Sequence, residues 1–332
     1  MRFVLEESSW AWDGEDQAAY IDRIERFLDR LDVADERGEG VAASRELLEQ
    51  KIAGAPLADV LWLDDGPLAL PREVHERLTP HLNKLRYWDD DEPYLEFEAT
   101  IAGDAVLSPS AVYAHARAHT DTPLACLPLP GRWSGPCVVQ VGERAALVHF
   151  ITDEPSHRAF FRDLVDRAKL DEAAIVDLAP HAYPDTYFLD GLWRGLRDFS
   201  GGLARARSGL LRFLAVFDDH GAWVFTDTTG RLSPSEPVPS GTSSVPVTNA
   251  LIEKRFHGWG LDLAPEKPNV RRDPESRRAR TRTLAGETLY CEWHHKLEGH
   301  TNRIHVPPPP PGPAPPPPRG RRGGRPPPPP PA

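Results

Sequence analysis

The chain has 332 residues, a formal charge of −11, 40% hydrophobic residues and nine tryptophans, enough for a real core. Three cysteines, Cys126, Cys137 and Cys291, exclude a disulfide framework in a chain this long. No apolar run approaches the roughly 18 residues of a membrane span, and Glu6 and Glu7 come too soon for a signal peptide, so a cytoplasmic protein with no membrane partner is expected.

The charge is uneven. From Leu251 onward fifteen Lys/Arg stand against eight Asp/Glu, so the first 250 residues carry −18. An acidic body joined to a basic end directs attention to nucleic acid for the end only.

Arg2 to Glu6 reads as an opening strand. Asp16 to Asp32 is an amphipathic helix, with Ala19, Ile21, Ile24, Phe27, Leu28 and Leu31 on one stripe. Ser44 to Ile52 and Val74 to Tyr87 read as further helices, the second started by Pro71. Trp88-Asp-Asp-Asp-Glu-Pro93 breaks the pattern and reads as a solvated turn rather than a metal site. Tyr94 to Ile101, Leu124 to Pro128, Val138 to Val141 and Ala145 to Ile151 are strand-like, with a helix over Ser110 to His119 among them. Pro130 to Pro136 is rich in Gly and Pro but lacks the Lys-Ser/Thr of a phosphate-binding loop.

Helices return at His157 to Lys169, Asp171 to Leu178 and Leu203 to Phe217, with Asp153 as an N-cap. A short strand is expected at Gly221 to Thr226, which puts Asp218-Asp-His220 at a helix end. Asn249 to Phe256 is one short helix. The expected fold is α+β: helices with short, mostly antiparallel strands, a small C-terminal β-hairpin module and a disordered Pro-rich tail. The expected organisation is an acidic body over 1–230 with a sub-boundary near 150, a linker over 231–246, a module over 247–306, and a disordered tail over 307–332.

The chemistry concentrates in the module. If Glu287 to Leu297 is one strand, Leu289, Cys291, Trp293, His295 and Leu297 share an apolar face. Tyr290, Glu292, His294 and Lys296 share the other. On a returning strand Arg303 and His305 lie together. A hairpin burying Trp293 and Ile304 gathers Glu292, His294, Lys296, Arg303 and His305 on its exposed side. That set suits phosphodiester cleavage in RNA. A carboxylate or imidazole takes the 2′-hydroxyl proton, the cations stabilise phosphate charge, and a second imidazole protonates the leaving oxygen. Arg271, Arg272, Arg277, Arg278, Arg280 and Arg282 are the expected contacts to the RNA backbone. The competing reading is a polar strand face that merely meets water. Cys291, His294, His295, His300 and His305 are enough zinc ligands in number, but their spacing is poor, so no metal and no cofactor are expected.

Cys291-Glu-Trp-His-His-Lys, followed by Arg303-Ile-His-Val, resembles the aromatic-x-His-x-Lys and Arg-Ile-His/Tyr-Phe pair of RelE/HigB-like toxins. It also resembles longer bacterial proteins, linked to phage defence, that end in a similar module. Phe160-Phe-Arg162, Ala182-Tyr-Pro-Asp-Thr-Tyr-Phe188 and the helix before Asp218-Asp219 resemble the longer type. The resemblance implies a small antiparallel sheet on helices and RNA- or ribosome-directed cleavage, with His294, Lys296, Arg303 and His305 carried over. The function so implied is an RNA-binding or RNA-cleaving toxin-like protein of a bacterial defence or toxin–antitoxin system. The alternative is a non-catalytic interaction subunit of a defence system, with a protein partner on the acidic body. Two readings fit the tail, since proline supplies no ladder donor to a sheet. One is a polyproline II partner-binding arm; the other is a frame slip in GC-rich DNA.

Overall fold

The computed structural model describes residues 1–62, 68–90, 98–101, 105–168, 172–189, 191–226, 230–237, 247–284, 286–298 and 301–308. The chain divides into two units, the first over 1–164 and the second from Val165. Residues 238–246 of the expected linker, 309–332 of the tail, 91–97 of the acidic turn and following strand, and His300 lie outside the described residues.

In the first unit the elements are β1 (Phe3–Leu5), α1 (Gln17–Glu36), β2 (Val41–Ala43), β3 (Lys51–Ile52), β4 (Ala55–Pro56), α2 (Leu57–Trp62), α3 (Arg72–Lys84), β5 (Arg86–Tyr87), β6 (Ala99–Ile101), β7 (Ala105–Leu107), α4 (Pro109–Arg117), β8 (Ala125–Leu127), β9 (Gly135–Val141), β10 (Arg144–Phe150) and α5 (Glu154–Arg167). Eight strands form one sheet in the order β5-β2-β1-β8-β10-β9-β6-β7. The five from β5 to β10 are parallel. β9 returns against β10 through the turn at Gly142, whose φ is 57°, and β6 and β7 extend the sheet antiparallel.

Successive side chains of β1 serve opposite faces. Val4 joins Ala111, Val112 and Ala114 of α4, with Cys126, Val148 and Phe150. Phe3 meets the rings of Phe160 and Phe161 of α5 at 5.8 and 6.1 Å. Helices therefore cover both faces, and the unit is α/β around a mostly parallel centre. This corrects the expectation of mostly antiparallel strands. A three-residue strand buried on both faces shows no alternation from which to read its partners. The expected helix from Ser44 to Ile52 is also replaced. Ser44 caps a 3-10 turn over Arg45–Glu49, and the chain then enters the hairpin of β3 and β4. Ala53 and Gly54 at its tip have φ of 48° and 87°, which ends any helix.

Two buried carboxyl groups follow β1 and tie its end to neighbouring elements. Glu6 accepts from Ser8, Ser9 and Ser108 backbone N–H. Glu7 accepts from the Ser44 and Ser110 N–H and from the Ser110 hydroxyl. That hydroxyl in turn accepts from Trp88 Nε1 at 2.8 Å. Burial pushes the Glu7 carboxyl up to about 7, against the hydrogen bonds from Ser108 and Ser110.

The second unit holds α6 (Glu172–Ala182), α7 (Gly202–Val224), α8 (Asn249–Gly258), β11 (Leu263–Pro265), α9 (Pro268–Arg272), α10 (Pro274–Ala279), β12 (Thr281–Leu284), β13 (Glu287–Tyr290), β14 (Trp293–Glu298) and β15 (Asn302–Val306). Its strands are antiparallel, in a sheet β11-β14-β15 and a hairpin β12-β13. α7 lies against β14: Phe213 stacks on His295 at 5.0 Å, and Gly209 leaves room for Leu297, which a Cβ there would meet at 3.0 Å. The strand expected at Gly221 to Thr226 is the last turn of α7 and its cap. Asp218 is therefore inside the helix, where it accepts from Asp185 N–H at 2.8 Å and Thr186 Oγ1 at 3.1 Å. Ala-Trp-Val-Phe reads as a strand in isolation, but Val224 is buried on the same helix face as Leu210, Leu214 and Gly221. Among the described residues no helix is long and apolar enough to cross a membrane.

Candidate functional site

The expected strand from Glu287 to Leu297 is two strands. β13 pairs with β12, whereas β14 pairs with β11 and β15. The break falls at Cys291 and Glu292. There Cys291 N–H donates to Arg280 O at 2.9 Å, and Glu292 O accepts from Glu266 N–H at 2.7 Å. Glu292 is thus off the hairpin, and its carboxylate lies 3.3 Å from Arg271 Nη1. The other four candidates are His294, Lys296, Arg303 and His305.

Those four do gather. β14 and β15 pair His294 with His305 and Lys296 with Arg303. Directly opposed residues of an antiparallel pair project to the same face. The two imidazoles form one rung and the two cations the next. The other face carries Trp293 and His295 into the core: Trp293 is buried beside Phe225 at 5.7 Å, and His295 Nδ1 lies 3.1 Å from Asp262 O.

The polar face is more covered than its composition suggests. His294 is only 6% exposed, and the His305 side chain 27%. Both face Glu266, a residue that the sequence pattern does not single out. It follows β11 directly and is 4% exposed. Its Oε1 accepts from Arg280 Nε at 2.8 Å. The same oxygen lies 3.5 Å from His305 Nδ1 and 3.7 Å from His294 Nδ1. The two rings are 5.8 Å apart. The available signal was the alternation of Leu261 and Leu263, which marks β11 and places Glu266 at its end. Nothing local marks Glu266 as facing the hairpin.

Both imidazoles are pushed below the ordinary histidine value. For His305 the fall is to about 4, caused first by burial and then by the charge of Arg280, with Glu266 opposing. For His294 the fall is again due to burial first, with Glu266 opposing and Arg303, Lys296 and Arg280 adding to it. Both rings are therefore neutral at pH 7. Glu266 opposes the fall in both rings, but burial, the largest cause, outweighs it. Nδ1 of each ring and Nε of Arg303 are buried without a hydrogen-bond partner among the described residues. Lys296 is drawn to Asp262, with Nζ–Oδ2 at 3.1 Å.

The six arginines separate into kinds. Arg280 belongs to the Glu266 cluster. Arg271 donates to Glu266 O and pairs with Glu292, and Arg282 donates to Ala279 O and Thr281 O. Arg272, Arg277 and Arg278 are exposed on α9 and α10, Arg277 lying 5.3 Å over the Tyr290 ring. Cys291 is buried, and burial pushes its thiol up, away from a nucleophilic thiolate. Among the described residues no group of three or more His, Cys, Asp or Glu is placed to hold a metal ion.

No family model, curated protein or solved structure matches the chain.

Proposed function

We propose that the β14–β15 hairpin binds and cleaves RNA. The observation that carries this reading is the pairing of a neutral imidazole rung (His294, His305) with a cationic rung (Lys296, Arg303) on one strand face. His305, the more exposed ring, takes the proton of a ribose 2′-hydroxyl. The 2′-oxygen attacks the adjacent phosphorus and the bond to the 5′-oxygen breaks. The imidazolium returns its proton to that oxygen, leaving a 2′,3′-cyclic phosphate and a 5′-hydroxyl. Arg303, whose Nε has no protein partner among the described residues, and Lys296 supply positive charge to the phosphate oxygens. Arg272, Arg277 and Arg278 hold the backbone beyond. The resemblance of the hairpin motif to ribosome-directed toxins supports mRNA on ribosomes as the target, and a defence or toxin–antitoxin setting.

The test is incubation with free RNA and with translating ribosomes, comparing wild type with His305→Ala and Arg303→Ala. Cleavage by wild type that ends in a cyclic phosphate, and its loss in both variants, is expected. Identical RNA profiles in all samples would overturn the reading and favour a non-catalytic interaction subunit.

A further inference from the structure

A neutral imidazole carries its proton on one nitrogen and presents a lone pair on the other, and the group facing one nitrogen decides which. His305 turns Nδ1, which has no hydrogen-bond partner among the described residues, toward a nearly fully buried carboxylate oxygen of Glu266 at 3.5 Å, so the carboxylate acts on that nitrogen through its charge. Arg280 Nε donates to the same oxygen at 2.8 Å. The nearer of the two rings is His305, since His294 lies at 3.7 Å. Arg303 and His294 are the other titratable or charged groups that act on the His305 ring.

We propose that Glu266 is a positioning residue for His305: it holds the ring proton on Nδ1 and leaves Nε2 as the free base nitrogen. A carboxylate accepts a hydrogen bond and cannot donate one, so an Nε2–H tautomer would set two lone pairs against each other in a buried space. Arg280 completes the arrangement. Burial, with the charge of Arg280 acting in the same sense, keeps His305 from becoming an imidazolium, which would have no lone pair to offer. This use of His305 rests on the cleavage reading above, but the tautomer itself does not.

The experiment is nitrogen NMR of the full chain labelled with ¹⁵N-histidine, at pH 7.5, beside RNA cleavage measured across pH. In wild type His305 is expected as the Nδ1–H tautomer. Glu266→Ala is expected to shift it toward Nε2–H and to lower kcat by at least about tenfold with KM nearly unchanged. Glu266→Gln, whose amide oxygen still accepts, is expected to retain Nδ1–H. An Nε2–H signal for His305 in wild type, which requires no variant to fold, overturns the proposal. So does an unchanged tautomer in folded Glu266→Ala. If wild type shows Nδ1–H yet cleaves no RNA, the cleavage reading fails and the positioning role stands.

Discussion

Arg280 Nε donates to Glu266 Oε1 at 2.8 Å, and the imidazoles of His294 and His305 lie 3.7 and 3.5 Å from that same oxygen. The consequence is a carboxylate that orients without charging its neighbours. Arg280→Gln removes the guanidinium charge that lowers His305 and releases Glu266 to act on the ring. The His305 pKa is therefore expected to rise from about 4 toward the ordinary histidine value but to stay below it, because burial, the larger cause, remains; ring proton shifts across pH read it. Stability at pH 7 is expected to fall by about 1–3 kcal/mol, because a buried charge is deprived of its partner. A His305 titration that does not move would mean that burial alone sets its value.

The two units are expected to respond to pH in opposite senses. In the first, Glu7 is raised to about 7 in the folded state from 4.5. Its contribution is full below pH 4.5 and is lost as pH rises through 7, on the order of 3 kcal/mol for a fully buried group. In the second, His305 is depressed to about 4 from 6.5, so its contribution is full above pH 6.5 and is lost as pH falls through 4. Hydrogen exchange from pH 4 to 8 separates them, with β1 and β2 amides expected to lose protection toward pH 8 and β14 and β15 amides toward pH 4. Glu7→Gln keeps the acceptor for Ser110 and removes the ionisation, so it should flatten the first trend. Persistence of that trend in the variant would assign it to another group.

What the sequence could show depended on element length and on how far apart in the chain the interacting residues lie. α1 was legible: Asp16 accepts from Ala19 N–H as its cap, and Ile24, Phe27, Leu28 and Leu31 are buried on one stripe, although Ala19 is exposed. The hairpin faces were legible because β14 and β15 pair regularly from Trp293 to Lys296. The break at Cys291 and Glu292, where the chain leaves one sheet for another, was not legible from alternation. The parallel order of β5, β2, β1, β8 and β10 was not legible, because all but β10 are strands of two or three residues, which carry no usable period. Glu266 was hidden for a different reason. Its surroundings depend on how β11 docks on β14, and no spacing within the chain encodes that register.

The exposed arginines offer a test of RNA binding that is independent of cleavage. Arg272, Arg277 and Arg278 stand on α9 and α10, while Arg271 and Arg280 are engaged with Glu292 and Glu266. Changing these three residues together to alanine should leave the fold intact and weaken RNA binding. Each phosphate that no longer meets an arginine lowers the salt slope by about 0.7, so the slope of log affinity against log salt should fall by about 2. Fluorescence anisotropy with a labelled single-stranded RNA between about 50 and 200 mM salt measures it. An unchanged slope would remove these helices from the RNA path.

Arg255 is expected to be the most costly single arginine to remove for stability. It is fully buried on α8 and closes the C-terminal end of α7. Its Nη1 donates to Val224 O at 2.7 Å and Thr226 O at 3.1 Å, and its Nε to Arg231 O at 2.9 Å. Its guanidinium lies 4.2 Å over the Trp223 ring. The carbonyls at a helix C-terminus are unsatisfied and carry partial negative charge, so a planar cation with several donors offsets both deficits at once. Arg255→Ala leaves those buried carbonyls unpaired and is expected to cost about 2–4 kcal/mol in urea unfolding. Arg255→Lys restores the charge but cannot span Val224, Thr226 and Arg231 with a single ammonium, so it should recover less than half of the loss. A lysine variant as stable as wild type would show that charge at the helix end, rather than the forked donors, secures α7.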